Sequence, residues 1–519
     1  MAPELIIGID AGTSVLKAVA FDRDGGQMAM AAIQNRIVTL PDGGVEQDMD
    51  ATWQALVETL RLLAEKVPNL AARTVALGVT GQGDGTWLID HENRPLAPAW
   101  LWLDGRSGRI TAALRRSDVG EAVFAITGTG LNTSLQSTQL KWIKQYRPEV
   151  FARSSIAFHC KDWLYLNLCD EIATDVAEGS FTYGDYRTST YSDDVLELLE
   201  LRDAAPLRPP MLDGTSHYGR LTAAAAAATG LRQGTPVVLA PVDILCTALG
   251  AGFYQRTRDV GCTILGSTGI HLRLYHQLEE IHPRNQAGYV MPLRPGGMWT
   301  GMMSNMAATL NIDWMLDMVK ELLSESGGVD MERGDLLELF DRKAGEASPG
   351  ATIFHPFIYQ AGERGPFVEP LARAQFLGLT KSTTLFDMMR AIYESLGYAA
   401  RDCYLGLGGV PSEIRLSGGA ARSKVCRRIL ASALGVPLRV SRREESGAAG
   451  AAMIAAISLG QYESTTDVSA EWADTFVDEQ AEQPDPELSG LYQRGFELYR
   501  SGYERMWEFW RDLDQLRKE

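Results

Sequence analysis

Residues 6–22 read IIGIDAGTSVLKAVAFD, and the fold is read outward from this stretch. The apolar run at 5–9 predicts a buried strand, Asp10-Ala11-Gly12-Thr13-Ser14 a tight turn, and 15–21 a second strand. Together they read as a β-hairpin. The turn holds what a nucleotide phosphate needs. Gly12 lets backbone come close to an oxyanion, Thr13 and Ser14 offer N–H and hydroxyl donors, and Lys17 brings a positive charge. Asp10 ends the buried strand and is a candidate Mg²⁺ carboxylate, acting directly or through waters. D-x-G-T is short, and a plain hairpin with a polar turn gives the same letters.

At 519 residues the chain has room for two or more domains with sizeable cores. Its composition, 45% hydrophobic and 22% charged, is that of an ordinary soluble globular protein. A formal charge of −17 argues against nucleic-acid binding, which needs clustered Lys and Arg, and against an anionic membrane surface. It does not exclude ATP, which is held by a few local N–H groups and Mg²⁺. Six cysteines are scattered without C-x-x-C spacing, as expected of reduced thiols rather than a disulfide framework or zinc site. No leader pattern is evident, and the most apolar helical stretch, 447–459, falls short of a bilayer span. The expected location is cytoplasmic.

Along the chain, Asp50 is expected to cap a helix ending before Pro68, followed by a strand at 74–80 and another at 87–90. Between those strands lies the Gly-rich loop Gly81-Gln82-Gly83-Asp84-Gly85-Thr86, a good place for ligand groups. Trp100, Trp102, Asp104 and Arg106 then mix flat apolar surface with paired polar groups. That mix suits a polyol site, and equally buried tryptophans beside an ion pair. Residues 174–186 read as a polar loop. A short apolar strand at 236–241 leads into Val242-Asp243, where an open α/β sheet places its chemistry.

Residues 259–275 echo the opening hairpin, with Gly266-Ser267-Thr268-Gly269 as the turn, so the architecture reads as duplicated. A strand at 413–416, the loop Ser417-Gly418-Gly419-Ala420 and a helix at 423–434 bring backbone close to a flat ligand, or form only a tight βα turn. In the tail, Leu491, Tyr492, Phe496, Tyr499, Tyr503 and Trp507 recur at helical spacing, the pattern of a docking face.

In order, these elements resemble the FGGY carbohydrate kinase family over nearly the whole chain. The most specific stretch is AQFLGLTKSTTLFDMMRAIYE at 374–394, similar to the family's C-terminal signature at Ala374, Phe376, Gly378, Leu379, Asp387, Met388, Ala391, Ile392, Tyr393 and Glu394. Gly362-Glu363-Arg364 resembles its G-E-R element, while near Trp142 the usual Lys is replaced by Gln139. The resemblance implies an α/β, two-lobed actin/hexokinase-like (ribonuclease-H-like) fold with a cleft, the lobes being 1–250 and 251–519.

It implies ATP and Mg²⁺ as cofactors, Asp10 as the metal-associated carboxylate, and Gly12, Thr13, Ser14 and Lys17 as the first phosphate turn. Gly266, Ser267 and Thr268 would be the second phosphate turn, and Gly418, Gly419 and Ala420, with Ser423, the adenosine site. Asp243 resembles the catalytic base, although A-P-V-D lacks the common Gly. Gln82, Asp84, Trp102, Asp104 and Asp243 would surround a small polyol or sugar substrate. The loop G-Q-G-D lacks both the Arg of the glycerol kinase N-Q-R-E and the His of the xylulose kinase Q-M-H. It is most similar to the erythritol kinase branch, with a pentulose such as L-xylulose as alternative. A non-kinase ATP-binding protein of the same fold is the other class. Whether the chain forms a homodimer is left open.

Overall fold

The computed structural model describes residues 4–517 apart from 256–258, 283, 295–296, 328–330 and 361. The opening hairpin forms as read: Leu5–Ala11 pairs antiparallel with Val15–Phe21, with Asp10 opposite Lys17. Val15–Phe21 carries Gln27–Gln34 on its other side, also antiparallel. Beyond Leu5–Ala11 come Thr74–Gly81 and then Pro236–Leu239, both parallel, and Gly219–Arg220 ends this six-stranded sheet.

The second sheet, also six-stranded, repeats the plan. Val260–Leu265 pairs antiparallel with Gly269–Tyr275, and Trp299–Asn305 and Tyr289–Pro292 extend that side. Glu413–Ser417 and Leu438–Val440 follow in parallel on the other. The internal echo is therefore architectural, and it gives the chain two lobes. In each sheet the hairpin turn and the ends of the parallel strands share one edge, where an open α/β sheet places its ligands.

The last parallel strand of each sheet leads toward a helix, Asp243–Gly250 in one half and Ser446–Ser458 in the other, and these two helices pack on each other. Ser446–Ser458 also lies across Leu5–Ala11 and Thr74–Gly81 of the first sheet. Backbones approach so closely that side chains are excluded. A Cβ on Gly8 would come within 1.8 Å of Ala448 O, one on Gly78 within 2.0 Å of Ala451 O, and one on Gly450 within 1.9 Å of Cys246 O. The alanine-rich composition of this helix follows from that fit.

Two local expectations fail. The first long helix, Met49–Lys66, is capped by Asp48, whose carboxylate accepts from Ala51 N at 2.8 Å, and Asp50 sits inside its first turn. Residues 174–186 are not a loop: Val176–Tyr183 is a fully buried helix capped by Asp175. Its polar residues look loop-like in sequence, yet they are buried: Glu178 and the capping Asp175 meet Lys161, and the rest lie inside the protein rather than in solvent.

The tail forms Ser489–Glu504 and Trp507–Leu516. Its aromatic stripe is a docking face, with Tyr492, Phe496, Tyr499, Tyr503 and Trp510 packed against Phe357, Phe367 and Tyr398. All six cysteines are free thiols. Among the described residues no helix is long and apolar enough to cross a membrane.

Candidate active site

Both lobes wall one cavity of about 200 Å³. The first contributes Thr13, Gln82, Asp84, Trp102 and Asp243; the second contributes Thr268, Tyr289, Asn305 and Arg364. Thr13 and Thr268 thus bring the two hairpin turns to the same space. Leu5–Ala11, Thr74–Gly81 and Pro236–Leu239 run parallel, so Asp10, Gln82 and Asp243 all emerge at their carboxyl ends.

The first turn is held by a polar chain. Trp102 Nε1 donates to Thr13 Oγ1 at 2.9 Å, Thr13 Oγ1 donates to Gln82 Oε1 at 2.9 Å, and Gln82 Nε2 donates to Gln47 Oε1 at 2.9 Å. Asn35 Nδ2 donates to Gly12 O at 2.6 Å and Asn35 N to Ser14 O at 2.8 Å. Lys17 Nζ lies 2.8 Å from Glu445 Oε2, so its charge already has a partner.

In the second turn, Ala308 N donates to Ser267 O at 2.7 Å and Thr309 N to Gly266 O at 3.0 Å. The Gly418 loop packs on this turn: with φ at +94°, Gly418 has its missing Cβ 2.4 Å from Leu265 O. Gly419 faces open space, and Ala420 is buried. Ser423 caps the helix Lys424–Leu434 by accepting from Cys426 N at 2.9 Å, and its hydroxyl also donates to Asp341.

Asp84 occupies an unusual position. Its φ is +57°, a left-handed backbone that non-glycine residues seldom adopt. Its N–H donates to Glu178 Oε1 at 2.7 Å, and Tyr289 Oη donates to its Oδ2 at 2.8 Å. Oδ1 is buried without a partner. Burial and the neighbouring Glu178 charge push the Asp84 carboxyl up to about 7, against the Tyr289 hydrogen bond.

Asp243 opens its helix, and burial, then the Asp10 and Glu178 charges, raise it well above the usual carboxylate range. Burial pushes Asp10 up to about 6 although Lys17 opposes it.

Asp104 is not on the cavity wall. It is fully buried, accepting from Val45 N at 2.9 Å and pairing with Arg106 at 2.6 Å, while Arg106 stacks 3.5 Å over Trp100. Of the two readings of that stretch, the tryptophan and ion-pair one describes Trp100, Asp104 and Arg106. Trp102 alone reaches the cavity.

Sequence reasoning missed the layer beneath the site. Lys161, with no exposed surface, lies 2.8 Å from Asp162, 2.9 Å from Asp175 and 2.7 Å from Glu178, and His159 sits 3.3 Å from Asp162. The spacing Asp175-x-x-Glu178 was the available signal, since it is the pattern of a helix N-terminus. Arg364 was read only as part of G-E-R. It reaches across to the first lobe, donating to Ser134 Oγ at 2.6 Å and Thr133 Oγ1 at 3.0 Å.

Residues 5–250 match the N-terminal domain, and residues 261–459 the C-terminal domain, of the FGGY family of carbohydrate kinases. The chain is 46% identical over 498 residues to an erythritol kinase of Brucella abortus, covering 96% of this chain and 95% of that one. A xylulose kinase structure from Rhodospirillum rubrum superposes with a TM-score of 0.86 at 25% identity, covering 98% of this chain and 100% of that one. A glycerol kinase from Plasmodium falciparum, solved with ADP, gives 0.83 at 16% identity, covering 97% and 98%.

The chain belongs to the FGGY family of carbohydrate kinases. It is an ATP-dependent phosphotransferase that acts on an alcohol group.

Proposed function

We propose that the acceptor is a small polyol, erythritol, phosphorylated at a terminal hydroxyl. The observation that carries this reading is the 46% likeness, along nearly the whole chain, to an enzyme named erythritol kinase. The substrate loop supports it: Gln82 and the half-free carboxylate of Asp84 stand on the cavity wall with Asp243, in a setting suited to several hydroxyls.

In this reading Thr13 and Ser14 from one lobe, and Ser267 and Thr268 from the other, offer donors to the triphosphate. Lys17 lies beside them, and Gly418, Gly419 and Ala420, with Ser423 behind them, receive the adenosine. Asp10 fits Mg²⁺, which takes one or two carboxylates and keeps several waters. Its carboxylate stands half-buried at a strand end and faces Gly447, whose missing side chain leaves it room. Bound there, Mg²⁺ would neutralise phosphate charge.

Asp243 takes the proton of the attacking hydroxyl as its oxygen bonds to the γ-phosphorus and the bond to ADP breaks. Proton removal is late in such a loose transition state, so a carboxylate suffices, and a raised pKa makes it a better acceptor. Closure of the lobes 1–250 and 251–519 would keep water from competing. The six free thiols support a cytoplasmic location.

The test is ADP release, coupled to a readout, over a panel of erythritol, glycerol, xylitol, D-xylulose and L-xylulose. Erythritol is expected to give the highest kcat/KM. A pentulose ahead of it by tenfold would replace the polyol assignment with a ketose kinase.

A further inference from the structure

Tyr289 comes from the strand Tyr289–Pro292 at the edge of the second sheet, yet its hydroxyl belongs to the first lobe's polar network. It accepts from Asn132 Nδ2 at 2.9 Å and donates to Asp84 Oδ2 at 2.8 Å. Its ring is fixed independently, edge-on to Phe181 with centroids 5.3 Å apart. Next to it, Gly130 N donates to Gly288 O at 2.9 Å, so backbone as well as side chain joins the lobes here.

With Oδ2 held by Tyr289 and the backbone N–H held by Glu178, the Asp84 carboxylate has one setting. Oδ1 is left as its one unpartnered oxygen, in a residue that lines the cavity. The surrounding wall is largely apolar, with Phe181, Val242, Ile270, Met291 and Met302. An unsatisfied buried acceptor among such groups is costly, and a ligand hydroxyl would relieve it.

We propose that Tyr289 is a specificity-determining residue of the acceptor site: by holding Asp84 Oδ2 across the lobes it aims Oδ1 at a secondary hydroxyl of the polyol. This rests on the reading of the cavity as the acceptor site. Tyr289 acts through Asp84 and is a positioning residue. Because it belongs to the opposite lobe, the grip on the polyol is complete only when the lobes meet, so acceptor binding and closure are coupled. The hydroxyl Oδ1 reads is not the one phosphorylated, so a substrate lacking it pays twice: in lost contact, and in leaving Oδ1 unpaired.

The experiment is a double-mutant cycle in the full-length enzyme with Tyr289→Phe and Asp84→Asn, measuring KM for erythritol, KM for ATP, kcat and Tm. Tyr289→Phe keeps the ring against Phe181 and removes only the hydroxyl. It is expected to raise the erythritol KM about tenfold or more, the loss of one hydrogen bond to a charged group, with ATP KM unchanged and only a small fall in Tm from the Oδ2 left unpaired. Asp84→Asn, which puts an amide NH2 where Oδ1 accepts, should raise it further, and the double variant should match Asp84→Asn alone, since the acceptor that Tyr289 aims is then gone.

If Asp84→Asn is costly but Tyr289→Phe changes the erythritol KM less than twofold, this inference fails and the acceptor site stands. Additive effects, or erythritol and ATP KM rising together with a falling Tm, also overturn it by showing a merely structural role. If Asp84→Asn itself is silent, the acceptor site is elsewhere and both readings fall.

Discussion

The Asp10 carboxylate occupies the space that a side chain on Gly447 would need: a Cβ there would stand 2.3 Å from Oδ2. One residue ends the first strand of the chain and the other opens a helix near its far end, so the metal candidate is shaped by both. Gly447→Ala should therefore displace Asp10 or lift the helix. The expected result is at least a tenfold fall in kcat, a higher Mg²⁺ concentration for half-activity, and about 1–3 kcal/mol lost stability. Wild-type kinetics over a Mg²⁺ titration would show that the contact does not constrain Asp10.

Asp243→Ala removes the proposed proton acceptor and nothing else of the phosphate turns. Turnover should fall about 10²- to 10⁴-fold while ATP binding, followed by calorimetry, stays within threefold of wild type. Near-normal turnover would take Asp243 out of that role.

The acid limb of the pH profile should lie in the neutral range rather than near pH 4. Asp84 is pushed up to about 7, first by burial and then by Glu178, with Tyr289, His159 and Arg364 pulling the other way. Asp243 is raised well above its ordinary range by burial, Asp10 and Glu178, with the Ile244 N–H and Lys161 opposing. A raised carboxyl pKa means the proton is retained as pH falls toward neutrality, so the base and the hydroxyl acceptor are lost there. The free-enzyme parameter kcat/KM for the polyol should climb through about pH 6–8 and then level. A flat profile from pH 8 to 5.5 would contradict this.

Lys161→Met leaves Asp162, Asp175 and Glu178 buried without their shared cation. Breaking such a cluster from one side costs about 3–5 kcal/mol, because uncompensated charge stays inside. Urea unfolding should show that loss, together with a raised polyol KM, since Glu178 also holds the Asp84 backbone. A stability within 1 kcal/mol of wild type would mean that the cluster rearranges freely.

Legibility in the sequence followed the range of the interactions. Both hairpins, the strands before Gln82 and Asp243, and the Gly418 loop are carried by local alternation and turn glycines, and they form as expected. Charges whose partners lie far along the chain were opaque. Lys17 reads as a charge for the phosphate alone, but it meets Glu445; Asp104 reads as a ligand group, but its carboxylate is spent on Arg106 and Val45 N. The helix Val176–Tyr183 was hidden because its polar residues are buried, with Glu178 answering Lys161 and the Asp84 loop rather than solvent. Tyr289 sits in a strand with no polar motif, and only tertiary structure sets its hydroxyl against Asp84.

The alanine helix Ser446–Ser458 lies on strands made from the opening residues of the chain. During synthesis the first sheet therefore emerges with that face bare and waits for nearly the whole polypeptide before it is covered. The nascent amino-terminal half carries a sticky surface while most of the second half is made, and cutting the gene between the halves would strand it uncovered. Mixing the separately made halves, rather than either one alone, is the way such a split enzyme would regain solubility.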